Sequence, residues 1–166
     1  MTQVSSHTQL REATPSLLAW THLLRAHATT TRHLSAQLQA EHGLTINDYE
    51  ALLVLSQAEG HRMKRVDLAR RLLLTPSGVT RLLEGLERAG LVERVACDVD
   101  LRVSYAQLTG AGAARLDAAS RSHVKAIRDL FEEHLSEIEL SDLVDLLGQL
   151  PGVAHSDADC GSRLDR

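Results

Sequence analysis

The spacing of hydrophobic residues changes from a helical period to a strand period within residues 72–94, and this change constrains the fold more than any other feature. The segment reads LLLTPSGVTRLLEGLERAGLVER. Thr75 and Pro76 are typical of an N-cap and a first helical position, and Gly90 is typical of a helix end. Between them, one helix face carries Val79, Leu82, Leu83 and Leu86. After Leu91, β-branched and polar residues alternate, which predicts a strand that directly follows a helix.

The same patterns predict a mainly α-helical fold with a small β-hairpin. A short helix from Val66 to about Leu73 precedes the helix that begins at Pro76, and the predicted hairpin strands are residues 92–97 and 102–108 around a polar tip. The other predicted helices run from Pro15 to Glu41, from a cap at Thr45 or Asn47 to about Gly60, from a cap at Thr109 to about Leu135, and from a cap at Ser141 to about Leu150. Residues 1–14 and 151–166 are expected to be disordered.

Composition indicates a globular protein with an aliphatic core. Hydrophobic residues make up 43% of the 166 residues but aromatic residues only 2%, so leucine, valine and alanine must fill the interior. Two cysteines, Cys97 and Cys160, do not form a disulfide framework. The first residues lack the apolar stretch of a secretory signal, and no apolar run is long enough to span a bilayer. We therefore expect a cytoplasmic protein that makes no membrane contact and holds no cofactor.

The central part of the chain carries positive charge within an acidic protein. Residues 60–103 hold nine Lys or Arg and six Asp or Glu, a balance of +3, whereas the net charge of the whole chain is −4. The remaining residues therefore carry −7. A basic region of this kind is the electrostatic footprint expected of a nucleic-acid-binding surface.

Two helices joined by a short turn are the pattern of a helix-turn-helix, in which the second helix enters the major groove of DNA. The outward residues at the start of that helix are suited to this role. Arg81 can bind guanine through two hydrogen bonds, the hydroxyl groups of Ser77 and Thr80 can donate or accept, and Gly78 allows close approach of a phosphate. The candidate DNA-binding residues of this helix are Thr75, Pro76, Ser77, Gly78, Thr80 and Arg81.

The hairpin tip supplies a second candidate contact. Arg102 lies at the tip, and an arginine at that position can enter the narrow minor groove, where the negative potential is strongest. Asp100 can accept a hydrogen bond from Arg102 or from Arg94 and hold the guanidinium in place. A hairpin that reads the minor groove beside a helix in the major groove defines a winged helix-turn-helix.

With these motifs, residues 45–116 resemble the multiple-antibiotic-resistance regulators, the MarR family. The matching stretches are LTINDYEALLVL, LARRLLLTPSGVTRLLEGLERAGLVER and DLRVSYAQLTGAG. The last stretch follows the wing pattern of the family, at Asp100, Arg102, Leu108, Thr109 and Gly112. The long first helix and the two terminal helices are also similar, although the tip sequence CDVDL is less basic than in many members.

The resemblance implies a homodimeric transcriptional regulator. Family members pair through their N- and C-terminal helices, bind palindromic promoter DNA and often release it when a small aromatic or phenolic acid binds. It implies dimerisation segments at residues 15–44 and 109–150 and a DNA-binding domain at residues 45–108. By position, Ser77, Thr80 and Arg81 would contact bases, Gly78 would lie near a phosphate, and Asp100 and Arg102 would act from the wing. The inducer pocket would include Trp20, His27, Asp48 and Arg70.

The sequence is compatible with one other class of function and argues against two more. The acidic terminal helices also suit a helical protein-interaction module that uses a winged domain without binding DNA. An enzyme is not indicated, because neither a G-x-S-x-G nor a G-x-x-x-x-G-K sequence occurs. The scarcity of aromatic residues argues against binding single-stranded RNA by base stacking.

The histidines and Cys97 leave further alternatives open. The four histidines of the first helix do not have the spacing of a metal site, so no metal is expected, but histidines near a pocket can make a response to ligand depend on pH. Cys97 lies close in sequence to Arg94 and Arg102, which favour a thiolate and so a redox role. A small strand residue without reactivity is the simpler interpretation.

Overall fold

The structure, a computed structural model, describes residues 14–96 and 104–153. Those residues form a mostly helical fold with one small antiparallel sheet, which confirms the predicted fold class. In chain order the elements are α1 (Pro15–His42), α2 (Ile46–Gln57), a 3-10 turn (Glu59–His61), β1 (Arg62–Lys64), α3 (Arg65–Arg71), α4 (Pro76–Arg88), β2 (Val92–Ala96), β3 (Ser104–Leu108), α5 (Gly110–Glu132) and α6 (Glu137–Gly148). Some predictions concern residues outside these ranges. They are the roles of Cys97, Asp100, Arg102 and Cys160, the terminal segment up to residue 13 and the tail from residue 154.

Local capping determines where the first helices begin and end. The hydroxyl of Thr14 accepts a hydrogen bond within the first turn of α1, and Pro15 occupies the first helical position. Gly43 ends α1 with a φ of 67°, a left-handed conformation that glycine adopts without strain. At α2 the cap is Thr45, because its hydroxyl accepts from the Asp48 amide at 3.2 Å and the Asp48 carboxylate accepts from the Thr45 amide at 2.8 Å.

A leucine core joins the second half of α1 to α2, α3, α4, the sheet and the first half of α5. Its largest fully buried side chains are Leu38, Leu52, Leu55, Leu68, Leu83 and Val92. Burying each such side chain contributes about 1.5–3 kcal/mol to folding. The first half of α1 does not take part, since Leu17, Trp20 and Leu24 are exposed although they continue the same apolar stripe.

The sheet has the order β1-β3-β2, with both neighbouring pairs antiparallel. Val95 of β2 pairs with Tyr105 of β3, as expected for the hairpin. On the other side of β3, Met63 of β1 pairs with Ala106. Strand β1 was not predicted, because three residues with one apolar side chain between two charged ones are too short to show an alternating pattern.

Several predicted helix boundaries are wrong by two or more residues. Helix α3 ends at Arg71 rather than near Leu73, and α5 ends at Glu132 rather than near Leu135. Helix α2 ends at Gln57, before the predicted end near Gly60, because the chain turns there into the 3-10 segment. Helix α6 begins at Glu137 and is capped by Ser136, whose hydroxyl accepts from the Glu139 amide while the Glu139 carboxylate accepts from Ser136. Ser141, the predicted cap, therefore lies inside the helix.

The hairpin is attached to α4 and α5 through four residues that we call the Leu91 junction: Gly90, Leu91, Thr109 and Gly112. The Thr109 amide donates to the Leu91 carbonyl at 3.1 Å, and the Thr109 hydroxyl donates to the Gly90 carbonyl at 2.7 Å. The Gly112 amide in turn donates to the Thr109 hydroxyl at 3.0 Å. A Cβ on Gly112 would lie 2.1 Å from the Leu91 carbonyl oxygen, so this position admits no side chain.

His123 is a buried polar residue at the contact between α2 and α5. Its ring meets the ring of Tyr49 edge-on, with 4.7 Å between centroids. Its Nδ1 has no hydrogen-bond partner within the described part of the chain, and the residue is 4% exposed. Burial holds the pKa of His123 below its ordinary value, because the charged form would lose its hydration.

The described residues form two compact units, one ending at His123 and the other beginning at Val124. The second unit contains the end of α5 and all of α6. Three large apolar side chains of α6 are exposed, Ile138, Val144 and Leu146, and so is Leu150 just after the helix. Over residues 14–96 and 104–153, no helix is both long and apolar enough to cross a bilayer.

Replacing Gly112 with alanine tests the Leu91 junction. We expect Gly112→Ala to lower the free energy of unfolding by about 2–3 kcal/mol, because the new methyl group must displace backbone atoms of Leu91. Gly85→Ala is the matched control, since a Cβ there meets nothing within 4 Å. That change should stabilise α4 by about 0.5–1 kcal/mol. Urea denaturation measures both changes, and equal stability of the two variants would contradict the close approach.

The buried His123 predicts a pH dependence of stability. Since its pKa is lower in the folded state, the unfolded chain binds more protons as the pH falls through the ordinary value of 6.5. His123 therefore makes its full contribution to stability above pH 6.5. The contribution decreases as the pH falls towards the pKa of the folded state, and below that pKa stability no longer changes with His123 protonation. Denaturation at several pH values should show a flatter profile for His123→Gln than for the wild type. The exposed His22→Gln serves as control, and identical profiles for the wild type and His123→Gln would refute the assignment.

Candidate nucleic-acid interface

The start of α4 is set by Thr75 and Pro76. Thr75 has an extended conformation, and its hydroxyl accepts a hydrogen bond from the Gly78 amide at 3.1 Å. Pro76 lacks an amide hydrogen, which costs nothing at the first helical position. Together they begin the helix two residues after Leu74, so Ser77, Thr80 and Arg81 fall in its first two turns.

The two faces of α4 differ in burial as the sequence predicted. Val79, Leu83 and Leu86 are buried in the core. The opposite face presents Ser77, Arg81, Glu84 and Arg88, all of which are exposed. Burial of the leucine face therefore leaves the polar face available to a partner.

The polar groups of this face differ in which of their hydrogen-bonding atoms are already used within the protein. The Thr80 hydroxyl donates to the Pro76 carbonyl at 2.8 Å, so its proton is used within the helix and its oxygen remains an acceptor. The Ser77 and Thr75 hydroxyl groups lie 3.2 Å apart. The Arg81 guanidinium has neither a hydrogen-bond nor an ion-pair partner among the residues described. All five of its donors are available.

A side chain at Gly78 would crowd the cap of α4. A Cβ at this position would lie 3.2 Å from the Thr75 hydroxyl oxygen and 3.7 Å from the Leu74 Cβ. The first distance is shorter than an ordinary van der Waals contact. The glycine therefore keeps the helix start compact, a reason that sequence reasoning had not supplied.

Two arginines of α3 line a groove that also includes Pro76 and Thr80 at the start of α4. Arg65 lies at the start of α3, and Arg70 lies near its end, where its guanidinium pairs with the Asp67 carboxylate at 3.1 Å. Both partners of that pair are largely exposed, so it contributes little to stability. In the sheet, Arg62 lies over the ring of Tyr105 at 5.3 Å from its centroid, and this contact holds its guanidinium in position.

The four residues predicted for an inducer pocket are not brought together by any one groove that the structure describes. His27 lines a groove along α1, whereas Arg70 lines a separate groove between α3 and α4. The Asp48 carboxylate is engaged in capping α2, and Trp20 is 59% exposed.

Glu50 of α2 was missed as a neighbour of His27. Although more than a third of its surface is exposed, partial removal of its carboxyl from water raises its pKa, and the charge of His27 lowers it.

Leu73 was also missed at the helix-turn-helix. It lies in the turn between α3 and α4 and is 93% exposed. A signal was present in the sequence: three consecutive leucines precede Thr75, and a helix end cannot turn all three inward. Leu74 and Leu72 are partly buried, which leaves Leu73 in solvent.

Within the described residues, no three His, Cys, Asp or Glu side chains form a group suited to a metal ion.

Comparisons with known proteins agree with this architecture. A model of the MarR family matches residues 42–102. The repressor YetL of Bacillus subtilis (strain 168), an HTH-type transcriptional repressor, is 33% identical over 118 residues, which are 71% of this chain and 70% of that protein.

Two solved structures from Streptomyces coelicolor have a similar fold. AbsC, a MarR-family transcriptional regulator, is 34% identical with a TM-score of 0.73, covering 82% of this chain and 93% of that one. Sco3205, a MarR-family transcriptional regulator in complex with DNA, is 28% identical with a TM-score of 0.75, covering 82% of this chain and 86% of that one. With its winged helix-turn-helix and these relatives, the chain belongs to the MarR family of transcriptional regulators.

Proposed function

We propose that this protein is a homodimeric repressor that binds palindromic promoter DNA and releases it when a small aromatic or phenolic ligand binds. The observation that carries DNA binding is the exposed polar face of α4, on which Arg81 has no partner among the described residues. A relative with a similar fold, Sco3205, is described in complex with DNA, and YetL is named a repressor. Both names support the proposal.

In this proposal α4 lies in the major groove with its first turns towards the bases. Arg81 donates two hydrogen bonds to a guanine, at its O6 and N7 atoms. Thr80 and Ser77 act from the same turns, and because the Thr80 proton is already donated to Pro76, Thr80 accepts a hydrogen bond from adenine or cytosine. Gly78 and the Ser77 amide at the start of α4 lie next to a phosphate, to which the helix dipole is favourable.

The wing acts in the minor groove. Arg102, oriented by Asp100, is the proposed contact, and both residues belong to the hairpin segment outside the described residues. Strands β2 and β3 pair from Val92 and Leu108 as far as Ala96 and Ser104, so they hold both ends of that segment.

The exposed apolar side chains support the proposed dimer. On α1, Leu17, Trp20 and Leu24 are exposed at helical spacing, and α6 separately exposes Ile138 and Val144. Exposed apolar surface of this extent is typical of an interface between protein chains. A second copy of the chain would cover it. If both copies of α4 dock, the half-sites of a palindromic operator must lie about one DNA turn apart.

Release of DNA on binding of a small aromatic or phenolic ligand is the second part of the proposed function. It is supported by family membership, with Trp20, His27, Asp48 and Arg70 as candidate contacts. Titration of the protein–DNA complex with a panel of aromatic acids tests it, and a complex that none of these compounds dissociates would remove this part while leaving DNA binding in place.

Changing Arg81 tests base reading. We expect Arg81→Ala to weaken binding to the promoter of its own gene by about 1–3 kcal/mol and to relax the preference for one base pair, because two hydrogen bonds to guanine are lost. Arg88→Ala is the control, since Arg88 is exposed on the same face two turns further along α4. It should weaken binding without altering base preference.

Selection from randomised sites, together with gel shifts at several salt concentrations, measures both quantities. Unchanged base preference in Arg81→Ala would contradict base reading by this residue. Absence of salt-sensitive DNA binding in the wild type would favour the alternative, a protein-interaction module.

Charge placed on the apolar stripe of α1 tests the dimer. We expect the double variant Trp20→Glu and Leu24→Glu to be monomeric at micromolar concentration and to lose high-affinity DNA binding, because like charges would be buried at the interface. Ala26→Glu, which adds one negative charge on another side of α1, should remain dimeric. Light scattering coupled to size exclusion measures the mass, and a monomeric wild type would refute the proposed assembly.

A further inference from the structure

The turn after α3 places Leu73 in a conformation that normally belongs to glycine. The Leu73 amide donates to the Arg70 carbonyl at 3.2 Å, and the Leu74 amide donates to the Ala69 carbonyl at 2.9 Å. These two hydrogen bonds form a Schellman motif, which requires a left-handed residue between the helix end and the chain that follows. Leu73 is that residue, with a φ of 53°.

Other helix ends in the same chain show the alternative. Gly43 after α1 and Gly90 after α4 have φ values of 67° and 69° and carry no Cβ that could clash. Leu73 has a Cβ, so its backbone is strained. Strain of this kind is commonly offset by burial of the side chain, but Leu73 is 93% exposed. Leu73 therefore has both a strained backbone and an apolar side chain in solvent, and no contact within the described part of the protein compensates for either.

Leu73 lies beside the start of α4. It lines a groove between α3 and α4 of about 590 Å³. The groove has an apolar floor and includes Pro76 and Thr80 of α4. Val66, another apolar residue of the groove, is 63% exposed. Arg65 and Arg70 also line the groove, and the Arg70 guanidinium pairs with the Asp67 carboxylate. An exposed apolar surface with positive charge around it, continuous with the polar face of α4, matches duplex DNA, which presents apolar carbons between phosphates.

We propose that Leu73 contacts the apolar carbon atoms of duplex DNA beside α4, either a thymine methyl group or the carbons of a deoxyribose. This inference rests on the proposed function and adds an apolar specificity residue to it. Burial against DNA supplies the compensation that the free protein lacks. The strained turn is kept because glycine would relieve the strain but remove the contact.

Replacing Leu73 by residues that tolerate the left-handed conformation separates the two effects. Leu73→Gly and Leu73→Asn should raise the midpoint of thermal unfolding by about 2–4 °C, because the backbone strain is relieved. The same two variants should bind operator DNA about fivefold more weakly, because the apolar contact is lost. Leu73→Met, which keeps both the strain and an apolar side chain, should match the wild type in both measurements.

A gain in stability combined with a loss of affinity is the result expected from a contact that exists only in the complex. Increased stability with unchanged affinity would overturn the inference, and so would decreased stability, which would show that Leu73 packs within the protein. Arg81→Ala, measured on the same DNA, separates this failure from failure of the proposed function. If Arg81→Ala weakens binding and Leu73→Gly does not, only the role of Leu73 is refuted.

Deoxyuridine in place of thymidine in the operator identifies the atoms involved, since it removes only the methyl group. If the wild type binds the substituted DNA more weakly than the original DNA, but Leu73→Gly binds both DNAs equally well, the contact is assigned to a thymine methyl group. An equal effect of the substitution on both proteins, together with the lower affinity of Leu73→Gly, assigns the contact to deoxyribose carbons.

Discussion

Burial of one face of α4 is the constraint on which the rest of the structure depends. Val79, Leu83 and Leu86 enter the leucine core, and a helix of 13 residues has little stability in water without such packing. Once that face is inside, the rotation of the helix is determined, and Ser77 and Arg81 must point to solvent. The cap at Thr75 determines where the helix begins, so these residues fall near its start, where a helix can approach a groove of DNA.

The Leu91 junction connects this helix to the wing. Backbone and threonine hydrogen bonds tie the end of α4 to the end of β3 and the first turn of α5. The close approach of Gly112 to the Leu91 carbonyl makes the junction sensitive to a single methyl group. The Leu-Thr-x-x-Gly pattern, which marks the family resemblance in the sequence, is thus a packing requirement: Thr109 supplies the hydrogen bonds and Gly112 supplies the space.

Elements with strong local signals were predicted and elements that depend on distant partners were not. The start of α4 at Thr75 and Pro76 follows from capping chemistry, and the hairpin follows from alternation, so both could be read directly. Strand β1 exists because β3 pairs with it, and its three residues carry no pattern of their own. The start of α6 is an exception, because the capping box of Ser136 and Glu139 is a local S-x-x-E signal, and the prediction placed the cap at Ser141 instead. The roles of Asp100 and Arg102 stay predictions, since they lie outside the described residues.

The sequence by itself determined the order of the helices, the polar face of α4 and the family to which the chain is similar, because capping, periodicity and the wing motif are local properties. Only the tertiary structure decided which apolar residues are left in solvent. Leu72, Leu73 and Leu74 are identical in the sequence, and the hydrogen-bonded turn after α3 alone turns Leu73 outward at a positive φ. The run of three leucines indicates that they cannot all be buried. Which of them stays in solvent depends on the hydrogen bonds of the turn and on what the rest of the chain places next to each residue.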